Sequence, residues 1–497
     1  MSNPNPSPSA APRWFAWLAA VALLVYGGFL GAYFTPVAGG SDSSGYLNAA
    51  RLLARGQITA PMRDFSGLTA SSATQFQPLG FIAEPARQRL VPTYPLGLPA
   101  HLAIASTLFG WTIGPLLVGV GAALAAIVLM YAIARECAIA WPLAAAGAVM
   151  LGVFPVTIFI AIQPLSDVLA TTWVLAAIYA ALRARGSPRW AVATGVALSI
   201  AILVRPTNVL ILPAIAALLS AGWRPLIAAA VGGLPGAFLL LATNAHLFGS
   251  PWRMGYGSIF EAFNFAYFGP TLLHFGKWLG LMLPGLGLFF GVVSFGLSRA
   301  GLRNRIALAL WFFTPVIFYA YYEVSGQTWW CLRFILPAVP ALILSALFTL
   351  DYFLATHPRT LRIASTLLAF WAIGLSAFWT REFHTLFSKT YEQAYAEIGH
   401  WSHDHLPANT VLLTNNDSGA LYYYTSFPIL RWDQMSAAEF TQHAAHLTRA
   451  DRPLHLITTE AEEHHVLTQR VPARWEKITT VAQRSIWRYN GPAAAVP

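Results

Sequence analysis

The chain has 497 residues, of which 56% are hydrophobic and only 10% are charged. Soluble proteins carry about 25% charged residues, so this composition excludes an ordinary soluble protein and predicts a mainly α-helical, polytopic membrane protein. The net charge of +10 does not indicate nucleic-acid binding, because the basic residues stand singly or in small groups between apolar segments.

Residues 1–13 are rich in Pro, Ser and Asn, which predicts a disordered N-terminal tail. The apolar segment from Trp14 to Phe34 is too long for the core of a signal peptide and lacks a small-x-small cleavage site, so a retained first span is expected. A helix of about 20 residues crosses a bilayer core. The apolar runs predict about eleven such spans, at 14–35, 111–134, 139–160, 168–184, 187–204, 207–222, 224–247, 279–298, 306–323, 334–354 and 361–380.

Arginines on alternate connections predict the orientation of these spans. With the N-terminus in the cytoplasm, every inferred cytoplasmic loop holds at least one arginine, as the positive-inside rule requires. These arginines are Arg135, Arg183, Arg185, Arg189, Arg224, Arg299, Arg303, Arg305, Arg359 and Arg362. Eleven crossings then place the C-terminus outside. The strong preference for arginine over lysine indicates a GC-rich genome, and hence a bacterial inner membrane with the C-terminal region in the periplasm.

Two stretches near the first outer loop, 36–96, predict helices that lie at the membrane surface. In "DSSGYLNAARLLARG" the apolar residues and the two arginines of the helix fall on different sides. The run 96–110 is too short for a span and predicts an interfacial or re-entrant helix. A second outer loop, 248–278, is rich in aromatic residues and is expected at the level of the lipid headgroups.

The C-terminal segment, 381–497, has ordinary polarity and predicts a small α/β domain outside the membrane. Its strand-like runs are "TVLLTN", "LHLITT" and the hairpin-like "KITTVAQRSIWRYN". Residues 14–380 are left as the transmembrane domain, with the first outer loop as part of it.

Two carboxylates next to predicted helix starts are candidate acid–base groups. Asp42, in "GGSDSSGY", follows the first span, and Asp167, in "IQPLSDVLA", lies at the outer turn between the third and fourth spans. Aspartate is among the best N-caps, so spacing alone favours a capping role for each. A helix N-terminus also favours negative charge, so one carboxylate can serve as cap and as base.

Outer-side arginines are candidate phosphate ligands, because guanidinium grips phosphate with paired hydrogen bonds. Arg87 and Arg89 lie in the first outer loop, and Arg205 and Arg333 lie at outer span ends; the alternative for each is an ordinary contact with lipid headgroups. The predicted spans lack ionisable residues at their centres, where ion-coupled transporters usually carry them, which favours an enzyme over a transporter. The histidines of "GHWSHDHLP" lack complementary ligand spacing, so no metal site is predicted.

Four stretches in order resemble the GT-C superfamily of polyprenyl-phosphate-sugar glycosyltransferases, in particular the branch of bacterial aminoarabinose transferases and protein O-mannosyltransferases. The first is the aspartate after the first span with the helix ending "ARLLARGQITAP". The others are "RLVPTYPLGLPAHLAIA", "FPVTIFIAIQPLSDVLATTWVLA" and "RFILPAVPALILSA". The likeness covers about 14–380 and implies a GT-C-like transmembrane fold.

The resemblance also implies roles for the residues that match. Asp42 matches the first-loop aspartate proposed as catalytic base, and Asp167 matches an acidic residue that lines the same site. Arg89 takes the place of a basic residue that holds the lipid phosphate. Many relatives have Asp followed directly by Glu, whereas Ser43 follows Asp42 here, so a paired-carboxylate site is not implied for this chain.

The predicted function is a glycosyltransferase that moves a sugar from a polyprenyl-phosphate donor to an acceptor hydroxyl at the periplasmic face, by inverting displacement with one Asp general base. A flippase or transporter of lipid-linked sugars, without chemistry, is the alternative. The expected partners are the donor, a glycan, lipid or protein acceptor, and membrane lipids, but not nucleic acid; no cofactor is required, and a divalent cation has no support in the sequence. The further candidate residues are Arg87, Arg205 and Arg333 for the donor phosphate, and Glu84 and Tyr94 for substrate contacts.

Overall fold

The computed structural model describes residues 10–66, 68, 72–184, 187–220, 222–257, 262–285 and 301–493. The described chain is mainly helical and forms two compact units. The first unit comprises the residues up to Phe34, Pro115–Arg253 and Gly257–Leu386. The second comprises Thr35–Gly114, Met254–Tyr256 and the residues from Phe387 onward.

Most helices that precede the C-terminal region follow the predicted apolar runs, but one, Phe268–Met282, lies largely within the predicted second outer loop, 248–278. They are α1 (Arg13–Tyr33), α2 (Ser41–Ala54), α3 (Gly97–Glu136), α4 (Trp141–Gly152), α5 (Pro155–Ala161), α6 (Ser166–Arg183), α7 (Pro188–Val204), α8 (Leu212–Leu219), α9 (Trp223–Phe248), α10 (Phe268–Met282), α11 (Leu302–Ala320), α12 (Val339–Leu354) and α13 (Pro358–Glu382). Two 3₁₀ segments, Pro206–Ile211 and Trp329–Ala338, lead directly into α8 and α12. The helix α3 is broken at Gly110, which adopts a positive φ of 81°, and the predicted short run 96–110 is therefore a separate helical arm.

Five described helices are long and apolar enough to cross a membrane: α1, α3, α9, the run Trp329–Leu354 and α13. The pair α4 and α5, bent by 56°, adds a sixth if it is one broken span. The break lies at Pro155, which has no backbone N–H to continue the helix. Helices α6, α7, α8 and α11 occupy predicted spans but are shorter or less apolar.

The predicted number of eleven spans is therefore not reproduced among the described residues. The predicted span 279–298 lies partly outside them, as do most of the N-terminal tail and the cytoplasmic-side arginines Arg185 and Arg299. The orientation of the chain in the membrane stays a prediction.

In the second unit, α2 is packed by protein on most of its surface. Its buried residues run from Ser43 to Ala50 and include Leu52, which is more burial than a helix lying on a membrane with one apolar face would have. A small antiparallel sheet accompanies it, with strand order β1-β3-β2. The strands are β1 (Ala60–Pro61), β2 (Phe81–Glu84) and β3 (Arg89–Pro92).

The C-terminal part of the second unit is a five-stranded sheet with helices. Its elements are α14 (Ser388–His405), β4 (Val411–Thr414), α15 (Ser418–Tyr424), β5 (Ile429–Arg431), α16 (Ala437–Arg449), β6 (Leu454–Thr459), α17 (Glu463–His465), β7 (Ala473–Val481) and β8 (Arg484–Pro492). The strand order is β5-β4-β6-β8-β7, and β4 runs parallel to both of its neighbours. The three predicted strand runs coincide with β4, β6 and the hairpin β7–β8. Ala482 and Gln483 both have positive φ, as a two-residue hairpin turn requires.

The first outer loop packs with this C-terminal sheet. The Arg63 guanidinium donates hydrogen bonds to the carbonyl oxygens of Tyr422, Thr425 and Phe427, and Asn48 Nδ2 donates to the Gly419 carbonyl oxygen at 3.0 Å. The sequence-based division placed the loop with the transmembrane helices and began a separate domain at Arg381. The contacts instead group the loop with the residues from Phe387 onward, because the polar groups of each segment are satisfied by the other.

Candidate active site

Asp42 lies in the first turn of α2, and it is not the N-cap that its spacing predicted. The N-cap is Gly40, whose φ of 49° turns the chain into the helix one residue before Asp42 is reached, and no side chain caps this end. The half-buried Asp42 carboxylate is thus left for other partners near the positive end of the helix dipole, which favours its ionised form.

Tyr94 is the hydrogen-bond donor to Asp42. Its hydroxyl donates to Asp42 Oδ1 at 2.8 Å, and Ser41 Oγ lies 2.9 Å from the same hydroxyl. Burial raises the pKa of Tyr94, and the nearby Asp42 carboxylate raises it further, so the tyrosine stays protonated. The two predicted residues are therefore brought together, with Tyr94 placed to orient Asp42.

A second carboxylate, Glu392 on α14, lies beside the turn that leads to Asp42. A Cβ atom added at Gly39 would overlap Glu392 Oε2 and touch Tyr395. Burial raises the pKa of Glu392 to about 7, with the Asp42 charge adding to the shift and the Arg484 charge opposing it. The sequence-based interpretation missed Glu392, because nothing in the local pattern of an amphipathic helix indicates which glutamate meets a segment some 350 residues earlier.

Glu84, Arg87 and Arg89 are paired with one another. Glu84 on β2 and Arg89 on β3 are directly opposite in the antiparallel ladder, and Arg89 Nε donates to Glu84 Oε2 at 2.6 Å. Arg87 Nη1 lies 3.7 Å from the same oxygen, and its side chain is 65% exposed. A strand rises about 3.3 Å per residue, so Arg89 lies about 10 Å along β3 from Pro92 and farther from Tyr94. These charges have the geometry of a cross-strand ion pair.

Asp167 lies in the first turn of α6, where Leu165 is the N-cap, so it too is not the predicted cap. Its side chain is almost fully buried and forms an ion pair with Arg205, which follows α7. The Arg205 guanidinium also lies 3.5 Å from the Tyr319 hydroxyl, and that hydroxyl contacts Thr207 Oγ1 at 2.8 Å. These contacts hold the Arg205 side chain in place between Asp167 and Tyr319.

Arg333 lies in the 3₁₀ segment that leads into α12, next to the ion pair of the first unit. Its guanidinium carbon is 5.0 Å from the centre of the Trp330 ring and 5.2 Å from that of Phe334. The guanidinium of Arg205 lies 5.2 Å from the same Phe334 ring. The guanidinium groups of Arg205 and Arg333 therefore lie beside one aromatic ring, that of Phe334, and Arg205 is paired with Asp167.

Among the residues that the structure describes, no group of three or more His, Cys, Asp or Glu side chains is placed to hold a metal ion. The second unit contains a carboxylate, Asp42, that is oriented by a tyrosine. The first unit contains two guanidinium groups, those of Arg205 and Arg333, beside one aromatic ring. A carboxylate of this kind can accept a proton, and guanidinium groups can stabilise a phosphate charge.

No protein-family model and no curated protein matches the chain by sequence. Solved structures match it over nearly its whole length. The crystal structure of ArnT from Cupriavidus metallidurans bound to undecaprenyl phosphate aligns with a TM-score of 0.61 and 14% identity, covering 96% of this chain and 98% of that one. The apo oligosaccharyltransferase of Archaeoglobus fulgidus gives a TM-score of 0.52 and 12% identity over 91% of this chain and 71% of its own.

A third similar structure, the arabinofuranosyltransferase AftD from mycobacteria, has a TM-score of 0.56 and 14% identity, covering 98% of this chain and 40% of its own. All three are GT-C glycosyltransferases. The chain therefore has the GT-C fold that the four ordered sequence stretches predicted.

Proposed function

We propose that the chain is an integral-membrane glycosyltransferase that moves a sugar from a polyprenyl-phosphate donor to an acceptor hydroxyl. The observation that carries the proposal is the Asp42 carboxylate at the start of α2, held by the Tyr94 hydroxyl at 2.8 Å, in a chain with the GT-C fold. The lipid-linked donor is supported by similar structures, since ArnT was solved with undecaprenyl phosphate and the archaeal AglB with dolichol-phosphate and an inhibitory peptide.

In this reaction Asp42 is the general base. Its carboxylate accepts the proton of the acceptor hydroxyl as that oxygen attacks the anomeric carbon of the donor. A new carbon–oxygen bond forms while the bond from the anomeric carbon to the phosphate oxygen breaks, and the electron pair leaves with the polyprenyl phosphate. One base is enough for such a direct displacement, which inverts the anomeric configuration, and no cofactor is needed.

Arg205 and Arg333 are the phosphate ligands that the contacts favour. Both guanidinium groups face the Phe334 ring, and paired guanidinium groups stabilise the charge that grows on a leaving phosphate. Asp167 acts as an orienting residue, since its carboxylate is committed to Arg205. Arg89 and Arg87 are weaker candidates for this role than the sequence suggested, because Arg89 lies about 10 Å along β3 from Pro92 and farther from Tyr94, and Arg87 is 65% exposed.

The distribution of arginines on the connections supports a site on the periplasmic side of a bacterial inner membrane. A glycan, a lipid or a protein can supply the acceptor hydroxyl, and the identity of the sugar follows from the same assay that tests the reaction.

The test is transfer by the purified protein in lipid nanodiscs, with a panel of undecaprenyl-phosphate sugars and an envelope extract as acceptor. Removing a general base typically costs 10²–10⁴-fold, so we expect Asp42→Asn to lower the transfer rate by about that factor. Binding of undecaprenyl phosphate should be unchanged. Asp64→Asn is the matched control, because Asp64 is an exposed carboxylate of the same loop.

A flippase would move the labelled donor across a vesicle membrane without forming product, and Asp42→Asn would leave that movement intact. Normal transfer by the Asp42→Asn protein would show that the base is assigned wrongly. Absence of product with every donor would contradict the transferase itself.

A further inference from the structure

The turn before Asp42 passes directly against a side chain of the C-terminal region. At Gly39 the backbone lies so close to Glu392 Oε2 that a Cβ atom would overlap the carboxylate, and Tyr395 closes the same space. The next residue, Gly40, has a φ of 49° and begins α2. The chain therefore passes directly against the Glu392 carboxyl as it enters the helix that carries Asp42, and Gly40 has a positive φ that favours glycine.

Glu392 also connects this turn to a buried ion pair of the C-terminal sheet. Arg484 Nε donates to Asp417 Oδ1 at 3.0 Å, and the Arg484 guanidinium lies 4.6 Å from the centre of the Tyr395 ring. The positive charge of Arg484 attracts the Glu392 carboxylate as well. The Glu392 carboxyl is therefore influenced by one positive charge, that of Arg484, and one negative charge, that of Asp42.

The ion pair lies at the edge of the sheet where ligands usually bind in open α/β sheets. Asp417 comes after β4, and Arg484 begins β8 opposite Thr459, the last residue of β6. Strand β5 lies on one side of β4 and the later strand β6 lies on the other, so the connections change direction between β4 and β6. The carboxyl ends of strands at such a switch point form the common ligand crevice.

We propose that Glu392 is a positioning residue of the transferase site, which holds the Gly39–Gly40 turn and couples Asp42 to the Arg484–Asp417 pair of the C-terminal sheet. The inference rests on the proposed function for its effect on catalysis. It gives the C-terminal region, which the sequence predicted only as a small α/β domain outside the membrane, a part in positioning the base.

The charge of Glu392 changes within the working pH range. The titratable and charged groups that face it are Asp42 on α2, Arg484 on β8, Tyr395 on its own helix and Tyr424 on α15. Since burial raises the pKa of Glu392 to about 7, its carboxyl is largely neutral below that pH and negative above it. A negative Glu392 makes the neighbouring Asp42 hold a proton more tightly and so makes it a stronger base. The kcat for transfer should therefore rise as the pH passes through about 7.

The kinetic test compares wild type with Glu392→Gln, Glu392→Asp and the control Glu397→Gln, an exposed glutamate of the same helix. We expect Glu392→Gln to lower kcat about tenfold, to leave the donor KM unchanged and to remove the rise near pH 7. Glu392→Asp should restore a rise, at a shifted pH, because a carboxylate is present again. Glu397→Gln should behave as wild type.

A second measurement does not depend on transfer. The pKa of Glu392 is raised above its unfolded value of 4.5, so the unfolded state releases this proton first and the stability contributed by the neutral carboxyl is lost between about pH 4.5 and 7. The Tm of wild type minus that of Glu392→Gln should fall over this range. A flat difference in Tm together with a wild-type pH profile for Glu392→Gln would overturn the inference. A falling Tm difference in a protein that transfers no sugar would instead refute the proposed function and leave the coupling of Glu392 standing.

Discussion

At the residue scale, the departure from the Asp–Glu pattern has a structural reason. Ser43, which stands where many relatives have glutamate, is 3% exposed inside α2, so a carboxylate at this position would be buried by the surrounding protein at a high cost. Asp42 instead accepts a hydrogen bond from the Tyr94 hydroxyl, which in turn is hydrogen-bonded to Ser41 Oγ. The second carboxylate near it comes from Glu392, far along the chain.

The hydrogen bond from Tyr94 predicts a measurable share of catalysis. A hydrogen bond to a charged group contributes about 1.5–3 kcal/mol, so Tyr94→Phe should lower kcat by about tenfold or more by leaving Asp42 poorly oriented. The donor KM should change little, because Tyr94 contacts the base. Kinetics with a fixed donor over a range of concentrations separates the two effects, and Tyr391→Phe serves as the control, since the Tyr391 side chain is exposed. An unchanged kcat would remove Tyr94 from the site.

At the element scale, Arg89 and Arg333 were both candidate phosphate ligands from the sequence, but they lie on different kinds of backbone segment. Arg89 is opposite Glu84 in a two-strand ladder, where an ion pair is an ordinary cross-strand contact. Arg333 lies on a 3₁₀ segment, with its guanidinium over Trp330 and Phe334. Arg89 therefore forms an ion pair within the sheet, whereas Arg333 lies against the same Phe334 ring as Arg205.

This difference predicts opposite results for two matched substitutions. Arg333→Gln should raise the donor KM by about tenfold or more, the cost of a charged hydrogen bond to phosphate. Arg89→Gln should leave it within about twofold, because a partly exposed ion pair contributes little. Transfer kinetics and binding of undecaprenyl phosphate measure both. If Arg89→Gln raised the donor KM and Arg333→Gln did not, Arg89 would be the phosphate ligand.

Element positions follow from the sequence because they depend on local patterns. Hydropathy located most helices between α1 and α13 to within a few residues, and alternation with turn signals located β4, β6 and the β7–β8 hairpin. The exception is α10, which lies mostly within the predicted second outer loop, 248–278. Helix starts are harder to locate from sequence: Asp42 and Asp167 are each the second residue of a helix, because Gly40 and Leu165 take the N-cap positions. The number of spans stays a prediction, since α6, α7, α8 and α11 occupy predicted spans but are shorter or less apolar than the helices that are long enough to cross a membrane.

At the scale of the whole molecule, the grouping of the first outer loop with the C-terminal region could not be predicted from the sequence. It depends on contacts between residues several hundred positions apart, such as Asn48 with Gly419 and Arg51 with the Tyr423 carbonyl oxygen at 2.7 Å. No periodicity or spacing encodes such pairs. Glu392 and Arg484 escaped the sequence-based list of site residues for the same reason, whereas Asp42, Tyr94 and Asp167 stand next to recognisable helix starts or motifs.

If the loop and the C-terminal region form one folding unit, deletion of residues 387–497 should expose the loop to proteolysis. Arg63 reports this change, because its guanidinium is committed to three carbonyl oxygens between Tyr422 and Phe427 and burial lowers its pKa to about 10. Trypsin should cut after Arg63 slowly in the full chain and rapidly in the deletion variant, since cleavage requires local opening of the backbone.

Arg87, which is 65% exposed, is the internal control and should be cut in both proteins. Mass spectrometry of the fragments over time gives the two rates, and equal protection of Arg63 in both proteins would mean that the loop holds its structure without the C-terminal region.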